Sequence, residues 1–243
     1  MSVTVRNSSD TPEVADCSLP RMAVCGRPQG LLLDFGAVIS VSFFERHRET
    51  EQLLGLPHGT LSWLGPLDPE TDELWQSMQR DEITEREYWA TRAREIGERV
   101  GESGWDMAML ASRVRQTDPD NVVRPELAQL ILDARRHGVK VGILTNELEL
   151  FYGRDFLSRL TLLNQMDAFV DGTHSAILKP DPRAYTLAID ALRLQPREVL
   201  FVDDQLRNIV GAVKAGLQTQ YFDLRDVAGN VAAIRVRLAL DRA

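Results

Sequence analysis

Three short apolar runs punctuate the chain: LLLDF at 31–35, VKVGILTNE at 139–147 and EVLFVDDQ at 198–205. Each is aliphatic or β-branched and bounded by turn or polar residues, which predicts a buried strand. Around them apolar positions recur at helical spacing. RPELAQLILDARRHG predicts a helix closed by Gly138, and DPRAYTLAIDALRL and NIVGAVKAG predict two more. Strands alternating with helices predict an α/β fold, a Rossmann-like parallel sheet with helices on both faces. Such sheets bind ligands beyond the carboxyl ends of their strands, and right-handed connections bring those ends to one edge. Asp34, Thr145, Asn146, Asp203 and Asp204 all fall there.

Roughly a hundred residues separate the first run from the second, far more than a crossover helix needs. Within that interval FFERHRETEQLLG, ETDELWQSMQRDE, TEREYWATRAREIGERVG and WDMAMLASRVRQ mix charge with apolar positions three and four apart. An inserted helical domain over 44–120 is expected, with the core domain formed by 28–43 and 121–243. Thr84 followed by Glu87 has the pattern of a capping box that starts the third of these helices.

Composition narrows the partners. With 243 residues, a net charge of −8 and no Lys/Arg run beyond pairs such as Arg135-Arg136, the chain lacks the basic footprint of a nucleic-acid binder. Its apolar runs fall far short of the ~20 residues of a membrane span. Residues 1–26 carry Asp10, Glu13 and Asp16 without an apolar block, so no secretory signal is expected. A cytoplasmic protein with a flexible N-terminal extension over 1–27 follows. Cys17 and Cys25, spaced for neither a metal nor a disulfide framework, read as thiols of a reduced compartment.

The chemistry is acidic. FVDDQLRN places two adjacent carboxylates after a buried strand, where like charges crowd and raise each other's pKa unless a cation compensates. A hard divalent ion such as Mg²⁺, held by one or two carboxylates plus substrate oxygens, is the economical compensation. LTNE brings a hydroxyl and an amide to a second strand end, groups suited to phosphate oxygens. ILKPDP adds Lys179. The chain holds 25 Arg and three Lys, at 140, 179 and 214, so a Lys fixed before Pro180 is less expected as surface filler.

In order, LLLDFGAV, VGILTN, LKPDP and VLFVDDQLRN resemble the four motifs of the haloacid dehalogenase-like (HAD) hydrolase superfamily, over residues 29–223. Within it they look like the branch near the epoxide-hydrolase N-terminal phosphatase domain and the glucose-1-phosphatase-like proteins. The resemblance implies a phosphatase that hydrolyses a small organic phosphate, a sugar phosphate among the candidates, through an aspartyl-phosphate on Asp34. It implies Mg²⁺ held by Asp34, the Gly36 carbonyl and Asp204, with Asp203 and Asn208 in support. Thr145 and Asn146 would orient the phosphoryl oxygens, Lys179 would neutralise charge on nucleophile and substrate, and the inserted helices would form a cap.

One position departs from the pattern. Phosphatases of the superfamily usually carry a second Asp two residues after the nucleophile, which protonates the leaving oxygen; this chain has Gly36. Such help is typically worth roughly 10²- to 10⁴-fold, and its loss matters least for anomeric, acyl or aryl phosphates. Glu45, His47 and Glu147 are candidate substitutes, each read first as a solvated surface residue. Gly36 also supports an alternative, a phosphate-ligand binding protein without turnover. A 2-haloacid dehalogenase is the other alternative; it needs no metal and leaves the Asp203-Asp204 pair unexplained. A phosphonatase would want a Lys in the insertion, which has none. A kinase is excluded too, since no glycine-rich loop precedes the DFG at 34–36. His137 reads as a helix-end cation, His174 as uninvolved, and Trp63, Trp75, Trp89 and Trp105 as packing of the insertion.

Overall fold

The computed structural model describes residues 26–114 and 118–241. Nearly all of the extension expected over 1–27, with both cysteines, lies outside them. The first strand, β1 (Gly30–Leu33), is followed by a turn over Phe35–Ile39 and then by the helices α1 (His47–Leu54), α2 (Glu73–Gln79), α3 (Glu85–Arg99) and α4 (Met107–Val114). From there the order is α5 (Pro125–Arg136), β2 (Lys140–Thr145), α6 (Leu148–Tyr152), α7 (Arg154–Arg159) and β3 (Ala168–Asp171). The chain ends with α8 (Pro182–Leu192), β4 (Val199–Asp203), α9 (Leu206–Lys214), β5 (Gln218–Tyr221) and α10 (Val227–Arg237).

The five strands form one parallel sheet in the order β3-β2-β1-β4-β5. The three predicted strands are its centre, buried on both faces as parallel strands must be. Because successive side chains alternate, Leu31, Leu33, Val141, Ile143, Leu200 and Val202 pack on one side with α5 and α10. Leu32, Leu144, Val199 and Phe201 pack on the other with α8 and α9. The edge strands β3 and β5 were not expected from the sequence. Each has four residues, and β5 reads QTQY, with no apolar run to mark it. No helix among the described residues is long and apolar enough to cross a membrane.

The helices between β1 and β2 build their own apolar cluster, with Phe44, Trp63, Trp75, Met78, Tyr88, Ile96 and Trp105 buried in it. The capping box forms: Thr84 Oγ1 accepts from the Glu87 N–H, and Glu87 Oε2 accepts from the Thr84 N–H at 2.7 Å. Asp72 caps α2 and accepts from Tyr88 Oη at 2.9 Å and Arg92 Nη2 at 2.6 Å, which ties α2 to α3.

His47 is not the solvated residue its sequence context suggested. It is buried in this cluster, edge-on to Trp63 with ring centroids 4.5 Å apart. Burial pulls its pKa down from 6.5 to about 4. Between those values the unfolded chain binds a proton that the folded chain excludes. The stability owed to the neutral ring is therefore present above pH 6.5 and lost as pH falls toward 4, by up to ~1.4 kcal/mol per pH unit. His47→Phe is expected to flatten that slope in thermal melts over this range; an unchanged slope would assign the acid sensitivity to other groups.

Candidate active site

Asp34 follows the last residue of β1, and its N–H donates to the Val202 carbonyl at 2.9 Å, which fixes the carboxylate at the centre of the strand ends. The turn beyond it carries Ala37 at φ 64°, a left-handed conformation that a residue with a Cβ adopts only under constraint. Buried Arg124 supplies that constraint, donating to the Ala37 carbonyl from Nη2 at 3.0 Å and Nε at 3.2 Å. Glu45 in turn pairs with Arg124 and accepts from Ser42, so it braces the turn and is not a substitute for the missing acid.

Lys179 sits in the loop before α8, after which the Lys179-Pro180 bond is cis. Asn146, just past β2, holds this loop, accepting from the Lys179 N–H at 2.7 Å. On the other side α9 approaches closely enough that a Cβ at Gly211 would lie 3.0 Å from the Pro180 carbonyl oxygen, so glycine is required for the approach. Thus clamped, the Lys179 ammonium donates to Asp34 Oδ1 and to Asp203 Oδ2, each at 2.7 Å. Asp203 also accepts from the Gln205 N–H at 2.8 Å and from Asn208 Nδ2 at 3.1 and 3.2 Å.

Asp204 differs. It is buried beside Asp34 and Asp203, with oxygens of the three carboxylates within 4.8 Å of one another, and its carboxylate accepts no hydrogen bond among the described residues. Burial first, then the charges of Asp203 and Asp34, push its pKa well up. Asp34 rises from 3.8 to about 7, because burial outweighs the attraction of Lys179. Burial pulls the Lys179 ammonium down, but Asp203 and Asp34 outweigh it and keep it charged. Three carboxylates face one ammonium, so full ionisation leaves two negative charges. A hard divalent cation fits that deficit and that all-oxygen donor set, since Lys179 is the one cation hydrogen-bonded to the cluster among the described residues.

The sequence-derived candidates therefore converge, with two qualifications. Asn146 spends its amide on the Lys179 loop and on Glu85 Oε2 at 3.1 Å, whereas Thr145, also lining the cleft, makes no side-chain hydrogen bond among the described residues. His174 is exposed and pairs with Glu149, away from the cluster; His137 caps α5, its Nδ1 2.8 Å from the Asp133 carbonyl. Sequence reasoning missed Glu85 at the start of α3, which accepts from Asn146 and from Gln205 Nε2 at 3.2 Å and so bridges the tips of β2 and β4. It also read Glu147 as solvated. Glu147 is 2 % exposed, lines the cleft and pairs with Arg86 of α3.

A family model described as haloacid dehalogenase-like hydrolase matches residues 57–216, more than half of the chain. Phosphatase MT3486 of Mycobacterium tuberculosis is 34% identical over 99 residues, covering 41% of this chain and 46% of that protein. (S)-2-haloacid dehalogenase 4A of Burkholderia cepacia is 28% identical over 163 residues, covering 65% and 62%. The chain spans less than two thirds of the length of either curated relative. The HAD-hydrolase YfnB of Bacillus subtilis, solved bound to magnesium, shares the fold with a TM-score of 0.62 at 18% identity, over 81% of this chain and 87% of that one.

Proposed function

The chain belongs to the haloacid dehalogenase-like hydrolases, and from its site we propose a Mg²⁺-dependent phosphatase that acts on a small organic phosphate through Asp34. The observation that carries this reading is Asp204, a buried carboxylate beside two others that neither Lys179 nor any other described donor satisfies. A phosphatase named among the relatives supports it.

In the first step an Asp34 carboxylate oxygen attacks phosphorus, the bond to the ester oxygen breaks, and the organic group leaves with that electron pair. Water then attacks phosphorus, the bond to Asp34 breaks to regenerate the carboxylate, and phosphate departs with the water's protons, one of which passes through solvent to the departed oxyanion. Lys179, held by Asp203, lowers the repulsion between the anionic nucleophile and the phosphoryl oxygens, and the Thr145 hydroxyl is free to bond one of them. Asp34, Asp204 and the Gly36 carbonyl would hold the Mg²⁺, which supplies charge stabilisation on the phosphoryl oxygens. Asp203, with both oxygens engaged by Lys179, Gln205 and Asn208, orients Lys179. Residues 44–120 act as a cap over this centre, a role supported by the Asn146–Glu85, Arg86–Glu147 and Arg207–Asp81 contacts between insertion and core.

Dehalogenation remains the second reading because a relative carries that name. Phosphate release from a panel of sugar, acyl and aryl phosphates with Mg²⁺, run beside halide release from 2-chloropropionate, separates the two; halide without phosphate would replace the proposal. Mg²⁺ is also expected to raise thermal stability, by ~2.7 kcal/mol at a hundred times its Kd. The gain should grow as pH rises through about 7, where Asp34 loses its proton, and Asp204→Asn should remove most of it. A melt insensitive to Mg²⁺ at pH 8 would count against the metal site.

A further inference from the structure

We infer that the leaving group is an aryl group, so that the substrate is an aryl phosphate; this rests on the phosphatase reading above. Asp34, Lys179 and Asp204 line a cleft of about 160 Å³. Beyond the carboxylates its wall is mostly apolar, with Phe43, Trp89, Met107 and Leu110 of α4, and Leu148 and Phe151 of α6 in the lining. The Phe43 and Trp89 rings, both in this lining, meet edge to face at 5.7 Å.

Beyond the carboxylate cluster, the charged and amide groups along the cleft are already engaged. Glu147 holds Arg86, Glu85 holds Asn146 and Gln205, Ser42 holds Glu45, and Arg46 donates to the Asn121 carbonyl at 3.2 Å. A sugar entering here would give up water from each hydroxyl and meet few free partners, whereas an aromatic ring loses nothing by leaving water. Independently, Gly36 offers no side chain to protonate the leaving oxygen. An aryl oxide departs without that proton far more readily than a simple alkoxide does. A sugar 1-phosphate or a small acyl phosphate such as acetyl phosphate would also tolerate Gly36, but neither carries the apolar surface to use the wall.

The test holds leaving-group acidity nearly constant and varies apolar surface. With Mg²⁺, kcat/KM is measured for phenyl, 4-methylphenyl, 4-tert-butylphenyl and 4-hydroxymethylphenyl phosphate, with glucose 1-phosphate and acetyl phosphate as contrasts. The expected result is a rise of about fourfold for each carbon that reaches the wall, the equivalent of ~0.8 kcal/mol per methylene. The hydroxymethyl compound should fall back to the level of phenyl phosphate or below, and glucose 1-phosphate should trail the tert-butyl compound at least ~100-fold. Met107→Gln, at a half-buried position that tolerates a polar side chain of similar length, should cut the tert-butyl advantage about threefold or more. A flat or inverted series, or glucose 1-phosphate equal to the aryl esters, would overturn the inference and leave the phosphatase standing. Release from no compound, acetyl phosphate included, would overturn both.

Discussion

Asp34→Asn is expected to lower phosphate release by ~10⁴-fold or more while the protein stays folded, because the substitution removes the nucleophile and one charged metal ligand with almost no change of shape. The amide oxygen can still accept from the Lys179 ammonium, which keeps its second partner Asp203, so the cluster does not lose its cation. Its electrostatics change in a definite direction. The folded pKa of Asp34 is raised from 3.8 to about 7, so the buried carboxyl favours the folded state when protonated and that contribution is lost as pH rises from 3.8 through 7. The neutral amide escapes the loss. Without metal at pH 8 the variant should therefore melt no lower than wild type, and its stabilisation by Mg²⁺ should shrink with the missing carboxylate oxygen. Activity lost with stability kept is the signature of chemistry at Asp34. Phosphate released by the variant at the wild-type rate would remove the nucleophile assignment, and a large drop in melting temperature would show that Asp34 matters for the fold.

What the sequence revealed depended on how local each signal was. Central strands announce themselves because both faces are buried, which forces runs such as LLL and VLFV, and the polar residues that end those runs must then lie at one sheet edge. Asp34, Asp203 and Asp204 were legible for that reason, and Lys179 stood out because lysine is so scarce in this chain. Edge strands such as β5 bury little and leave no apolar run. Glu85 was invisible for a different reason. An acidic residue just after a Thr cap is what any helix N-terminus favours, and only the docking of α3 over the strand tips turns it toward Asn146 and Gln205. His47 and Glu147 misled in the same way, since a charged residue in an amphipathic stretch reads as solvated until the packing of the insertion is known.

Gly36→Asp is expected to raise turnover of alkyl phosphates by roughly 10²-fold or more, with a much smaller gain for aryl phosphates. The backbone permits the change: Gly36 has φ −64° and ψ 129°, an extended conformation open to any L-residue. Space permits it as well, since a Cβ at this position meets only Asp34 Oδ2, at an ordinary contact distance of 3.7 Å. A fourth carboxyl placed beside three others will hold its proton to higher pH than a free Asp, the condition for donating it to a leaving oxygen near neutrality. The diagnostic quantity is the slope of log kcat/KM against leaving-group pKa. In wild type, with no proton donor at residue 36, the slope should be steeply negative; in Gly36→Asp it should flatten, because the leaving oxygen departs as an alcohol. A slope already shallow in wild type and unaltered in Gly36→Asp, with an intact Mg²⁺-dependent thermal shift, would mean that another group already protonates the leaving oxygen. Glu85, in the same cleft and already bonded to Asn146 and Gln205, would then be the residue to replace next.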